Sequence, residues 1–147
     1  MKQEKWISWL LQGDVSIQYQ TYRDLLGEER TDLQERIRKE GWGKAYLQRQ
    51  NPQGHWGKRF YEPKWISSHY TLLDLRNLCL PQDHPIPRET IKKIALENKA
   101  PDGGISPNSH NEASDVCVNG MFLNYACYFG LEEENLKSVV DYLLTEL

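Results

Sequence analysis

Two groups of side chains in this 147-residue chain are of a type and spacing to do chemistry. The first centres on His69, which follows Ser67-Ser68 at the start of a strongly apolar stretch. An imidazole in that position can face a cavity as an acid/base or a ligand. It can equally be one satisfied polar group at a helix start, with Ser67 or Ser68 as the cap. The second is the aromatic run Trp56, Tyr61, Trp65 and Tyr70. Ring faces hold apolar or cationic ligands, and rings also pack the joints between helices. Trp56 suits a joint, whereas Trp65 and Tyr70 lie nearer the apolar stretch and are the candidates for facing a ligand. Asp74 and Asp115 are isolated acids, and Glu132-Glu133-Glu134 suits a helix N-terminus, which favours negative charge. The chain has no nucleophile elbow, phosphate loop or Cys-His signature.

Composition narrows the classes further. The net charge is -3, and acids stand beside most of the scattered Lys and Arg residues, so no phosphate-tracking groove is expected and nucleic acid is excluded as a partner. Lys58, Arg59 and Lys64 form the one mildly basic stretch, which reads as a solvated loop. No run of 18 apolar residues exists, so no membrane span is expected. The start, MKQEKWISWLLQGD, is too polar for a secretory segment. Three cysteines, Cys79, Cys117 and Cys127, fit unpaired thiols of a cytoplasmic protein. With 39% hydrophobic residues, five Trp and eight Tyr must supply much of the core.

The elements that must position these residues are helical. Val15, Tyr19, Tyr22 and Leu26 make a stripe ending at Gly27, a C-terminal capping glycine. Thr31 with Gln34, or Asp32 with Glu35, can form a capping box, and Gly41-Trp42-Gly43 breaks the helix that follows. Residues 66–79 carry two apolar stripes, one through Ile66, Tyr70 and Leu73. Residues 115–129 are apolar almost all round, which predicts a helix buried on most sides. Ile91, Ile94 and Ala95 mark a shorter helix opened by Pro87. Leu136, Val139, Val140, Leu143, Leu144 and Leu147 fall at helical spacing in the last. No segment alternates with period two, and no strand is expected.

The pattern repeats. Asn51-Pro52-Gln53-Gly54-His55-Trp56 is matched by Ala100-Pro101-Asp102-Gly103-Gly104-Ile105 at an offset of 49 residues. Each turn follows a polar helical segment and precedes a strongly apolar one. Glycine permits the tight turn, the Gln50 side chain can satisfy helix-end backbone groups, and Trp56 can fill the joint. The expected architecture is all-α: antiparallel helical hairpins over approximately 4–50, 51–99 and 100–147, forming one repeat domain across 1–147.

Tyr46-Leu47, then Gln50-x-x-x-Gly54-x-Trp56, resembles the QW motif of the terpenoid cyclase and protein prenyltransferase superfamily. More closely, PQGHWG, YEPKWISSHYTLLDL and PDGGI, in that order and after WLLQGDVSIQYQTYRDLLG, resemble bacterial prenyltransferase/squalene oxidase repeat proteins over nearly the whole chain. The second turn departs from the motif, with Lys99 and Ile105 where Gln and Trp would stand. The resemblance implies an α/α toroid whose inner helices line a cavity. Three hairpins are about half of a six-hairpin ring, and a third turn would fall near residue 152, past Leu147.

The family's class II cyclases protonate substrate with Asp-x-Asp-Asp, which this chain lacks. Its protein prenyltransferases hold zinc with Asp-x-Cys and a distant His. Asp115-Val116-Cys117 matches the pair, with His69 or His110 as third ligand, and zinc accepts such a set. Alternatively, Ser114 or Asp115 caps the helix and Cys117 packs as a small hydrophobe. Two functions follow as expectations. One is a module not catalytic by itself, needing no cofactor, that binds a partner chain or an apolar ligand on its concave inner face through Trp65, His69, Tyr70 and Cys117. The other is a prenyltransferase- or cyclase-type enzyme, with or without zinc, whose site is completed in an assembled ring. Half a ring leaves apolar inner faces uncovered, and such faces seldom stay in water. A homodimer, or another chain completing the ring, is therefore expected. Light scattering checks this: a dimer mass supports it, and a stable, monodisperse monomer removes it.

Overall fold

Glycines with left-handed backbone and prolines that cannot continue a helix cut the chain into short helical pieces. The computed structural model describes residues 2–108 and 112–146, and every regular element among them is helical. None of these helices is long and apolar enough to cross a membrane. The chain folds into two compact units, one of Met1–Arg49 with Asn77–Pro81 and one of Gln50–Arg76 with Gln82–Leu147.

In the first unit, α1 (Lys2–Leu10) precedes α2 (Val15–Gln20), which runs on as a wider π-helical turn over Thr21–Leu26 and stops at Gly27 with φ +68°. Asp14 caps α2, accepting from the Ser16 N–H at 2.9 Å, and also accepts from the Trp42 N–H at 2.9 Å. Helix α2 packs against α3 (Thr31–Arg36) and α4 (Gly41–Leu47), burying Val15, Tyr19, Leu33, Ile37 and Leu47. The expected capping box at Thr31 or Asp32 does not form, and α3 has no side-chain cap. Helix α3 starts at Thr31 itself, so Arg30 rather than Thr31 or Asp32 stands at the cap position, and Arg30 meets the Asp32 carboxylate in a two-pronged contact of 2.7 and 2.8 Å.

The second unit holds α5 (Ser68–Asn77, whose last residue belongs to the first), α6 (Pro85–Glu97), α7 (Val116–Tyr128) and α8 (Glu133–Thr145). Here the 49-residue repeat is written in hydrogen bonds. Asn51 N–H donates to the His55 carbonyl at 2.8 Å, and Ala100 N–H to that of Gly104 at 2.9 Å. Gly54 N–H donates to Asn51 and Gly103 N–H to Ala100, and the two glycines have φ of +81° and +94°. The buried residue that follows is Trp56 in one turn and Ile105 in the other. Its N–H is accepted by a side chain of the next helix, Ser68 Oγ at 3.0 Å and Asn119 Oδ1 at 2.7 Å. Gln50 reaches Thr90 of α6 at 2.8 Å, and Lys99 reaches Ser138 of α8. So Lys99 and Ile105, which depart from the sequence motif, occupy equivalent positions in the turn.

Two burial expectations need correction. Helix α7 is not covered on most sides: Val118, Asn119, Phe122, Tyr125 and Ala126 are buried, while Val116, Cys117, Gly120, Asn124 and Cys127 are exposed. Ile66 is 65% exposed, because the helix begins only at Ser68 and residues 64–66 form a 3-10 turn before it. In α8 the buried face is Leu136, Val139 and Tyr142, with Val140 and Leu144 turned to solvent. Leu147 and His110 lie outside the described residues.

Ser68 and Asn119 are fully buried and each satisfies a buried backbone N–H. Removing an acceptor strands the donor at a cost of about 1–3 kcal/mol. Ser68→Ala and Asn119→Ala should each lower stability by about 2 kcal/mol in urea unfolding. Gln50→Ala, at a half-buried site, should cost about 1 kcal/mol.

Candidate functional site

Residues 57–70 and the buried face of α7 bring together most of the side chains that the sequence singles out. Trp65 sits in the 3-10 turn and is 73% exposed. Its ring lies 4.9 Å from that of Tyr70, which is half-buried in the first turn of α5. Tyr61 completes the cluster, with its ring 5.8 Å from Tyr70 and the two hydroxyls 3.2 Å apart. The Lys64 ammonium lies 5.1 Å from the Trp65 ring centre and 6.0 Å from that of Tyr61, within cation–π range.

His69 packs against these rings and has no solvent exposure. It lies 5.3 Å from Phe60, 5.3 Å from Tyr61, 5.1 Å from Tyr70 and 5.6 Å from Tyr125. Its Nδ1 is 3.1 Å from the Tyr125 hydroxyl, while its Nε2 is buried with no partner. Burial pushes the imidazole down to about 4, with the negative charge of Asp115 opposing, so His69 is neutral at physiological pH. Burial also raises Tyr125 well above its ordinary value, which keeps the phenol protonated. Donation from the phenol to Nδ1 leaves one unsatisfied group, the Nε2–H. The opposite tautomer would leave two, so the first is favoured.

The hydroxyls of Ser67 and Ser68 make other contacts at the start of α5. Ser67 donates to the Lys64 carbonyl at 2.8 Å. Ser68 Oγ lies 2.9 Å from His55 Nδ1 and accepts from Trp56. His55, which the sequence shows only as part of a turn, thereby ties that turn to α5. Its Nε2 is 3.8 Å from Glu97. Burial, aided by the charge of Lys93, lowers its pKa. Ser, His and Glu thus stand in line, but Ser68 is fully enclosed and accepts a backbone N–H, so the line is structural.

Cys117 is exposed in the first turn of α7 and acts electrostatically on Tyr70, whose phenol is pushed up to about 12, chiefly by burial and then by the Tyr61 hydrogen bond. Asp115 caps α7, accepting from the Val118 N–H at 2.9 Å. The zinc set Asp115, Cys117 and His69 is not assembled: one carboxylate oxygen holds the helix end and one imidazole nitrogen holds Tyr125. Among the described residues no three His, Cys, Asp or Glu side chains gather to hold a metal, and His110, the other third ligand expected, lies outside them. The cysteines Cys79, Cys117 and Cys127 are unpaired, the first buried and the others exposed. Of the four residues with the closest bearing on a ligand, Trp65, Tyr70 and His69 are joined ring to ring, and Cys117 is exposed in the first turn of α7. Sequence reasoning missed Tyr125 and Phe60, since no local pattern links Tyr125 to a histidine 56 positions away.

No family model, no curated protein and no solved structure matches this chain.

The buried imidazole makes the unit acid-sensitive. An unfolded His binds its proton near pH 6.5, the folded His69 only near pH 4. Stability held by the neutral ring is full above pH 6.5, falls as pH drops from 6.5 towards 4, and levels below that. The loss amounts to about 3 kcal/mol, and His55 shifts in the same direction. Urea unfolding across this range should show the decline in the native chain and a clearly shallower one in His69→Gln.

Proposed function

We propose that the chain is a terpenoid-cyclase-like α/α-toroid module that is not catalytic by itself. It binds an apolar molecule, or the apolar surface of a partner chain such as a second copy, through the face carrying Trp65, Tyr70 and Cys117. The observation that supports this best is a solvent-open ring cluster lying on a buried imidazole whose Nε2–H lacks an acceptor. Open aromatic area supplies affinity without chemistry. The exposed strip of α7 through Cys117, Gly120, Asn124 and Cys127 extends the surface available for binding. The groups that would be reactive have structural work instead: Asp115 in a cap, His69 enclosed, Ser68 in the turn.

Titration with the neutral apolar dye Nile red, followed by its fluorescence, tests the reading. Trp65→Ala with Tyr70→Ala should weaken binding at least about tenfold, the worth of one buried aromatic side chain, whereas Trp42→Ala should not. Equal binding by all three proteins would sink the proposal. Metal analysis of the same preparations addresses the zinc-dependent alternative: stoichiometric zinc that disappears in Cys117→Ala would replace the binding module with the enzyme.

A further inference from the structure

Tryptophan is the residue a folded chain can least easily leave in water, yet four of the five here are solvent-open. Trp6, Trp9, Trp42 and Trp65 are 63%, 65%, 62% and 73% exposed, against 2% for Trp56. Trp65 differs from the other three in its setting. It is followed by Ile66, itself 65% exposed, at the end of a closed loop over residues 57–66. The backbone of that loop is tied to itself. Lys58 and Arg59 N–H both reach the Glu62 carbonyl, at 2.9 and 3.2 Å, and Asn51 Nδ2 donates to the Gly57 carbonyl at 2.9 Å. Gly57 has φ +65°, and a Cβ there would meet Glu62 O at 2.9 Å and Ile66 O at 3.0 Å, so both carbonyls lie against it. Lys58, Arg59, Lys64, Trp65 and Ile66 are therefore presented together by a fixed frame.

The charge of this loop opposes that of the chain. Three cations stand against one carboxylate, a net +2 on a protein of net -3. Glu62 is held by Arg59 at 2.8 Å, which leaves Lys58 and Lys64 uncompensated within the loop. A partner that covers the loop must accept two adjacent apolar side chains and supply negative charge around them. Protein interfaces are depleted of lysine at their centres. The Lys64 ammonium instead lies over the Trp65 and Tyr61 rings, beside the most exposed side chain of the tip. Indole rings with lysine amines at one level match the headgroup layer of a bilayer, where tryptophan prefers to lie and lysine extends to phosphate.

From this we propose that the 57–66 loop docks the protein onto an anionic lipid surface, with Trp65 and Ile66 entering the interface and Lys58 and Lys64 meeting the headgroups. The docking is peripheral; it shares Trp65 and Lys64 with the aromatic cluster but does not rest on the ligand reading, because Ile66 and Lys58 have no part in that site.

Co-sedimentation of the full chain with phosphatidylcholine vesicles, with and without phosphatidylserine, tests the docking. The chain should bind the anionic vesicles, release them as salt is raised, and bind the neutral ones weakly. Lys58→Gln with Lys64→Gln should lower affinity for anionic vesicles about 30-fold and remove the preference between the two. Ile66→Ser should lower it about tenfold. These positions are exposed, so the variants should retain the helical circular dichroism and melting temperature of the native chain. The proposal is overturned by equal partition of the native chain into both vesicles, by no binding at low salt, or by variants that bind like the native chain. Capture by soluble poly-glutamate without binding to vesicles would also overturn it, and would assign the loop to an acidic protein.

Discussion

A tight turn that ends in a buried residue leaves a backbone N–H with no water to bond, and such a group must find a partner. In the second unit that partner is a side chain of the following helix, Ser68 for Trp56 and Asn119 for Ile105. The same two side chains lock more than one piece of the local structure. Ser68 also meets His55, and Asn119 also donates to the Ile105 carbonyl and to that of Asp115. Where each helix begins relative to its turn is therefore fixed by buried polar pairing, and the apolar packing is built on that registration. A single hydroxyl and a single amide perform the same task in successive 49-residue modules, because either offers an acceptor at the right reach.

The site inherits its geometry from this registration. Once Ser68 is held against the turn, the next two residues of α5 are aimed: His69 inward to Tyr125, and Tyr70 outward to Tyr61 and Trp65. The inward residue becomes neutral and enclosed, the outward one accessible and stacked. Adjacent positions on one helix turn thus end in opposite environments, and the pKa values follow burial in both cases. An uncharged, enclosed imidazole among aromatic rings is ill suited to shuttling protons near neutral pH.

The ring cluster over His69 and the cationic loop beside it share Trp65 but differ in chemistry: one is neutral and aromatic, the other charged and aliphatic at its tip.

Residue patterns alone carried the all-helical class, the stop at Gly27 and the repeat at 49 residues, since these depend on local backbone preference and short-range periodicity, whereas the break expected at Gly41-Trp42-Gly43 falls at residues 37–40, with those three residues opening α4. They also placed Asp115 at a position where a carboxylate can cap. What they could not carry was direction. A helix apolar all round, as α7 is, has no stripe to say which side is covered, and only packing chose Phe122 and Tyr125 over Cys117 and Cys127. Likewise nothing local distinguishes a serine that caps its own helix from one that reaches back 12 residues to a turn. The capping box failed because α3 starts at Thr31, which puts Arg30 rather than Thr31 or Asp32 at the cap position. Composition and spacing set which elements form, because those energies are local; tertiary structure decided which faces meet and which polar atoms pair, because those energies exist only once distant segments come together.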